Sequence, residues 1–464
     1  MVNNKIENKN ALEIARESYK DYGIYVGQGR AYPSVVDSLK SSYRRALYGM
    51  YLNNTHKHVK LIDLAAQALP YHPHPTSING VIVQMGDSGA NLKLMETQGN
   101  WGNSAKKIEP SADRYISGHL SRLAESLLCD SVEYCEFVKG EIEKDEPRAL
   151  PVLLPLCFIN GLKGIPSGLP TLNIPTMDID SLIDYYVDVL KHKSLSYKPK
   201  KLPKPNYKCE IVSDENAWKQ ILTTGKGTIK LAPKMLIQDN TIVIDELPDS
   251  KSTESVYKII EKEILGDKVD FRDESKSQTR IVIEKVPYKQ VDMDDLYCRL
   301  YNKLQVNESC NMAFYDEDKI YVPCSFDKVV KSNLKYLIDT HKNRIAKQLV
   351  ELKLKLSVLE VIEKIKSNND VKKLVEFTTE EALKYLSDKY KVDEDTANKV
   401  LQKSISYLTK AHLDEIEELK QGISELENDD GDIFEFLLKK YKDIRKEIKK
   451  QIEKQEQELV DISD

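Results

Sequence analysis

The feature that most constrains this chain is the near-disappearance of glycine and proline beyond residue 327. There Ile345, Leu349, Leu352, Leu356 and Leu359 recur in alternating steps of four and three. Ile416, Leu419, Ile423 and Leu426 repeat the spacing, and Leu437, Tyr441, Ile444 and Ile448 make a third run. Apolar residues so placed line one edge of a helix, and two such edges pack as a coiled coil. Residues 367–401 break the register and read as short helices. The economical topology is a long helix out, a small globule at about 367–405, and a helix back.

The rest of the chain is organised differently. Residues 1–25 read as an amphipathic arm with one helix from Ala11 to Tyr22. Residues 26–145 mix short helical patterns with Gly- and Pro-bearing turns. KLIDLAAQAL (60–69) is a helix by propensity and periodicity. YHPHP then breaks the chain, and Thr76 or Ser77 is expected to cap a second helix, SINGVIVQM. Two short helices around a tight turn suggest a helix-turn-helix. Residues 146–326 hold strand-like runs, GTIKLAPKMLI (227–237), TIVIDELP (241–248) and TRIVIEKVPY (279–288). Helical segments such as STESVYKIIEKEIL (252–265) lie between them, so this part reads as α+β. The expected boundaries are therefore 1–25, 26–145, 146–326 and 327–464.

Composition narrows the class. A chain of 464 residues, 41% apolar and 31% charged, is globular with long exposed helices. At roughly 100–200 residues per domain it holds two to four domains. No apolar run reaches the roughly 18 residues of a membrane span, and MVNNKIENKN lacks the apolar core of a secretory signal. Seven cysteines, scattered and without CxxC, suit reduced thiols in a cytoplasm, with no disulfide framework and no zinc site. No GxxxxGK[ST] or GxGxxG occurs, so no nucleotide cradle is expected in this chain. The net charge is −5, but it is unevenly spread. Residues 26–60 carry Arg30, Lys40, Arg44, Arg45, Lys57 and Lys60 against one acid, Asp37. Such a patch can bind phosphates on an acidic chain, because screening confines the interaction to about 8–10 Å.

Six segments, in order, carry more specific information. They are GRAYPSVVDSLKSSYRRALYGMY (29–51), YHPH (71–74), QGNWGN (98–103), ADRYISGHLS (112–121), LPVLLPLCFINGLKGIPSGLPTLNIP (150–175), and TIVIDELP with FRDESKSQTRIVIE (271–284). Together they resemble the breakage–reunion subunit of type IIA DNA topoisomerases. That family includes gyrase A, the C subunit of topoisomerase IV and, closest in length and Lys/Asn content, the T-even phage medium subunit. The resemblance covers about residues 25–345, and the helical stretch follows where the family places its coiled coil.

That resemblance implies a winged-helix DNA-gate domain, an α+β tower domain, and a long antiparallel coiled coil ending in a helical dimer gate. It assigns Tyr115 as the nucleophile and Arg114 as the stabiliser of the reacting phosphate. The chemistry suits the residues. Transesterification needs an oxygen nucleophile that stays linked to phosphate. A phenol, with its ordinary pKa of about 10, needs activation, and a neighbouring cation both activates it and braces the negative phosphorane. By the same match Arg30, Lys40, Arg44 and Arg45 hold DNA phosphates near the cut, and guanidinium forks suit that task. His72 and His74 match active-site histidines and are expected to hydrogen-bond DNA rather than ligate a metal. Ile165 matches a wedge residue that opens a base step and bends the duplex. Ser77 sits at a drug-contacting serine.

The family supplies Mg²⁺ and ATP through a partner subunit with ATPase and TOPRIM domains, and acts as a homodimer of this chain joined to two such partners on double-stranded DNA. With no wrapping domain after the coiled coil, relaxation and decatenation are expected rather than supercoiling. The sequence departs from the family pattern at Ser38 and Ser41 (Gly and Pro), at Pro75–Thr76 (Gly–Asp), at Asp113 (Met) and at Val81, where bacterial enzymes often carry an acid. The first three leave the chemistry intact, and Val81 argues against quinolone sensitivity. The alternative is a non-catalytic winged-helix and coiled-coil scaffold that tethers DNA, or a relative with the tyrosine unused. The scaffold explains the basic patch and the heptads, but not the Arg114–Tyr115 pair or QGNWGN.

Overall fold

The computed structural model describes residues 10–104, 108–129, 131–142, 144–166, 169–262, 268–275, 279–316, 319–403, 412–429 and 433–461. Residues 1–9 of the expected arm, 263–265 of the expected helix, 276–278 within FRDESKSQTRIVIE, 167–168 within GIPSGLP, and 404–405 of the expected globule lie outside these. The chain forms two compact units. One comprises Met1–Leu337 with Leu438–Asp464, the other Ile338–Leu437.

The first unit opens with helix α1 (Ala11–Val26), whose Asn10 side chain caps the Leu12 amide. Three helices follow: α2 (Ser41–Leu52), α3 (Leu61–Ala68) and α4 (Pro75–Gly86). They pack on a three-stranded antiparallel sheet of β1 (Val59–Lys60), β2 (Met95–Gln98) and β3 (Ser117–Leu120), in the order β1-β3-β2. The start of α4 differs from expectation. Neither Thr76 nor Ser77 caps it; the cap position is His74 and Pro75 opens the helix. A proline fits there because its fixed φ is already helical and its missing N–H would have had no intrahelical partner. Short elements lead on: α5 (Arg122–Leu127), the pair β4 (Phe137–Val138) and β5 (Glu146–Pro147), and α6 (Leu156–Asn160).

The α+β part contains two sheets. Strands β6 (Leu162–Gly164) and β7 (Leu172–Ile174) form a hairpin at the edge of a five-stranded antiparallel sheet. Helix α7 (Ile179–Lys191), capped by Asp178, follows. The sheet is completed by β8 (Glu210–Ile211), β9 (Lys226–Ala232) and β14 (Val306–Asn311), in the order β6-β7-β14-β9-β8. Helix α8 (Glu215–Thr224) ends at Gly225, whose φ of +80° permits the left-handed turn into β9. The second sheet has the order β10-β11-β13-β12, from β10 (Lys234–Gln238), β11 (Thr241–Glu246), β12 (Val269–Asp273) and β13 (Ile281–Lys285). Its inner face, Ile242, Ile244, Ile281 and Ile283, meets Val256 and Ile260 of α9 (Thr253–Lys262) and Leu296, Leu300 and Leu304 of α10 (Met293–Leu304). Each such buried side chain contributes about 1.5–3 kcal/mol. A last hairpin, β15 (Phe314–Asp316) with β16 (Lys319–Tyr321), joins back to the start of the unit through the Ser34–Tyr315 bridge.

Helix α11 (Phe326–Ser367) runs from the first unit into the second. Its opening turns are fixed by Asn333, whose amide donates to the carbonyls of Val36 and Val152, and by Tyr336, whose hydroxyl donates to Ala149. In the second unit α11 lies antiparallel to the helix Leu413–Asp429. Lys353 pairs with Glu427, Glu360 with Lys420, and Glu363 accepts from the His412 amide. Val358, Leu359, Ile362 and Ile365 pack with Ile416 and Leu419, and with residues of the short helices α12 (Val371–Glu376), α13 (Thr379–Tyr390) and α14 (Glu394–Leu401). Thr378 and Glu381 close α13 with a capping box.

The third heptad run has a different partner from the one expected. It lies on the helix Ile433–Asp461. From Leu438 on, that helix belongs to the first unit. Tyr441 is buried there, its ring 5.4 Å from that of Tyr186 and its hydroxyl donating to Leu153. Arg445 pairs with Asp184. A three–four spacing marks a buried edge of a helix but does not say what covers it.

Candidate nucleophile and nucleic-acid interface

Tyr115 stands on a single helical turn, Asp113–Tyr115, entering strand β3. It is 68% exposed, while its neighbour Ile116 is fully buried. The Arg114 guanidinium lies over the Tyr115 ring, 5.6 Å from its centroid. A cation so placed is attracted by the ring face and leaves the phenol open to solvent.

The turn is held from behind. Asp113 accepts a hydrogen bond from the Asn79 amide of α4 at 2.5 Å, so the residue that departs from the family pattern anchors the turn to α4. Gly99 has φ +89°, and a Cβ there would approach the Tyr115 carbonyl oxygen to 2.8 Å. The Trp101 indole N–H reaches the carbonyls of Gln98 and Ser117. QGNWGN is therefore the support on which the tyrosine turn rests. Gly99 and Trp101 lie within the QGNWGN segment quoted from the sequence, whereas Asn79 carried no sequence signal.

The basic residues divide into two groups. Arg30 is exposed and its Nη2 lies 2.5 Å from His74 Nε2. Because arginine only donates, His74 accepts through Nε2 and carries its proton on Nδ1. Lys40 precedes α2 and is half-buried, and burial pushes its pKa down. These two lie beside the N-termini of α4 and α2, where backbone N–H groups and the helix dipole favour an anion.

Arg44 and Arg45 are placed differently: both are buried and ion-paired. Arg44 is buried and holds Asp37 through Nε and Nη2 at 2.5 and 3.0 Å, with Nη2 also 3.1 Å from the Tyr315 hydroxyl. Burial works against its charge, but Asp37 and Tyr315 outweigh that and push its pKa up. Asp37 is fully buried and also accepts from the amides of Leu39 and Leu150. Arg44 is thus committed to the fold, because a charge spacing cannot distinguish a solvated guanidinium from one serving a buried carboxylate. Arg45 binds Glu146 through Nε at 2.6 Å and Glu141 through Nη2 at 3.0 Å, yet still lines a cavity.

That cavity, about 260 Å³, is bounded by Arg30, Arg45, His72, His74, Ser77 and Glu141, among others. The Ser77 hydroxyl donates to the His74 carbonyl, so its lone pairs face His72 Nε2 at 2.9 Å. His72 therefore donates through Nε2, and its buried Nδ1 has no protein partner. Desolvation, with the charge of Arg45 next, pushes the His72 pKa from about 6.5 down to about 4. Protonation then favours the unfolded chain. Its contribution to stability is complete above pH about 6.5 and is lost as pH falls toward about 4. The expected result in an NMR titration is a His72 ring midpoint near 4, with Nε2 protonated at neutral pH; a midpoint above 6 contradicts it.

Ile165 lies just beyond β6 and is 90% exposed, the opposite of a core isoleucine. Its hairpin is braced by Tyr32, whose buried ring places its hydroxyl 2.6 Å from the Pro170 carbonyl. Among the described residues no three His, Cys, Asp or Glu side chains converge as a metal cage requires. No helix of the described residues is long and apolar enough to cross a membrane.

Comparison with known proteins matches residues 30–454 to the family of the DNA gyrase/topoisomerase IV A subunits. The chain belongs to that family. It is 29% identical to the DNA gyrase A protein of Brachyspira hyodysenteriae over 443 residues, 88% of this chain and 52% of the relative. It is 28% identical to the DNA topoisomerase 4 A protein of Pseudomonas aeruginosa over 317 residues, 64% of this chain and 41% of the relative. It is 28% identical to the DNA gyrase A protein of Thermotoga maritima over 456 residues, 90% and 54% respectively. The chain thus spans about half the length of the curated relatives it matches.

Proposed function

We propose that this chain cuts and rejoins DNA as the breakage–reunion subunit of an ATP-dependent type II topoisomerase. The observation that carries the reading is the exposed Tyr115 beside Arg114, on a turn tied by Asn79 to the helix whose first turn presents His74 and Ser77. A duplex laid along α4 brings a backbone phosphate to the helix N-terminus and to Arg30, and Lys40 serves the next anionic position. Tyr115 Oη attacks the scissile phosphorus and displaces the 3′ oxygen, leaving the 5′ phosphate on the tyrosine. Arg114 leaves the ring face to meet the phosphorane, whose charge it offsets. Rejoining is the reverse, with phenolate the leaving group. Ile165 wedges a base step and bends the duplex.

Helices α2 to α4 with the β1-β3-β2 sheet serve as a winged-helix DNA gate, residues 146–326 as the tower, and the paired helices of the second unit as a coiled coil with a terminal gate. Two copies cut the two strands, and a partner subunit bearing ATPase and TOPRIM domains supplies ATP turnover and Mg²⁺. The test mixes the chain with that partner, Mg²⁺ and end-labelled DNA, then quenches with SDS. Protein attached to 5′ ends supports the reading; normal DNA binding with no adduct overturns it in favour of a tethering scaffold. In the same assay Arg114→Ala is expected to slow cleavage about 10²–10³-fold, as loss of one oxyanion donor does, with little change in DNA affinity.

A further inference from the structure

Lys93 is the most buried lysine or arginine among the described residues, 2% exposed on the segment leading into β2. Its Nζ donates to Glu458 at 2.7 Å and to the Thr97 hydroxyl at 3.2 Å. Its backbone amide donates to the Gln455 side chain, which in turn donates to the Ala90 carbonyl. One turn away Lys454 pairs with Glu96 at 2.5 Å. The last turns of the helix Ile433–Asp461 are thus fastened to strand β2 by residues some 360 positions apart in sequence. From Thr97 the path to the nucleophile is short. Thr97 pairs with Gly118 across the sheet and Gln98 with Ser117, and Gln98 Oε1 also accepts from the Ser117 hydroxyl. Ser117 is two residues from Tyr115.

We infer that Lys93 and Glu458 form a latch that positions Tyr115: the docked helix holds β2, β2 holds the register of β3, and β3 holds the tyrosine turn. An ammonium buried this deeply is stable only with its carboxylate in place, so the latch is either closed or costly. Lys93 is a positioning residue and touches no DNA. Its effect on cleavage rests on the proposed function, whereas its effect on the strands does not.

The test therefore reads both in the full chain with its partner. Glu458→Ala opens no cavity, because Glu458 is itself half-exposed, but it leaves the buried Lys93 ammonium with only the Thr97 hydroxyl. Expected are amide exchange at Thr97, Gln98, Ser117 and Gly118 faster by about tenfold or more, and an SDS-trapped adduct reduced several-fold at unchanged DNA affinity. Glu458→Gln, which keeps an acceptor for Lys93, recovers most of both. Unchanged exchange in Glu458→Ala removes the latch whatever the enzyme does. Faster exchange with an undiminished adduct removes the positioning role. A wild-type chain that gives no adduct removes the enzymatic reading and the positioning role with it, and exchange alone then decides whether the helix fastens the strands.

Discussion

Tyr115→Phe is expected to abolish the covalent DNA adduct and to lower strand cleavage by on the order of 10⁴-fold or more, the scale on which loss of a nucleophile acts. DNA affinity and thermal stability should stay near those of the parent chain. The ring of Tyr115 is 68% exposed, so removing its hydroxyl leaves no buried polar atom unpartnered and opens no cavity. The Arg114 stacking contact survives, since it depends on the ring. The substitution therefore isolates chemistry from folding. Quantifying SDS-trapped complexes beside a filter-binding isotherm makes the comparison. A Phe variant that still forms the adduct at near-parental levels places the nucleophile elsewhere among the tyrosines.

Arg44→Ala is expected to do the opposite, costing stability rather than chemistry. It leaves the fully buried Asp37 carboxylate with only its two backbone amides, and breaking a buried ion pair in this way costs about 3–5 kcal/mol. Arg44→Lys should recover little, because an ammonium cannot reproduce the two-point contact through Nε and Nη2. Urea unfolding measures the loss. Arg30→Ala is the control: an exposed guanidinium whose removal should weaken DNA binding and its salt dependence while hardly moving the unfolding midpoint. If Arg44→Ala instead unfolds like the parent and loses DNA affinity, Arg44 is a phosphate ligand after all and the assignment from its burial fails.

The contrast between Arg30 and Arg44 shows where the sequence was readable. Motif order singled out the Arg114–Tyr115 pair and Ile165, which the structure leaves exposed, and the flanking glycines have fixed backbone tasks, as Gly99 does behind Tyr115. Heptad spacing singled out the long helical stretches, and the structure sets α11 antiparallel to Leu413–Asp429. It misled only for the run through Tyr441, since burial is periodic whichever surface does the burying. The family match grouped Arg30, Lys40, Arg44 and Arg45, yet the fold separates them by what each meets. Arg44's partners include Tyr315, some 270 residues away. Lys93 and Glu458 were unreadable for the same reason, as a single lysine carries no mark of a carboxylate some 365 positions on.

The chemical identity of the DNA-linked residue can be read directly. The chain, reconstituted with an ATPase- and TOPRIM-bearing partner, Mg²⁺ and duplex DNA, would be trapped with SDS, digested with nuclease and trypsin, and read by mass spectrometry. The expected product is a nucleotide phosphate on the peptide running from Tyr115 to Arg122, attached at Tyr115. A nucleotide on any other residue, or none where the partner is active with its own cleavage subunit, contradicts it.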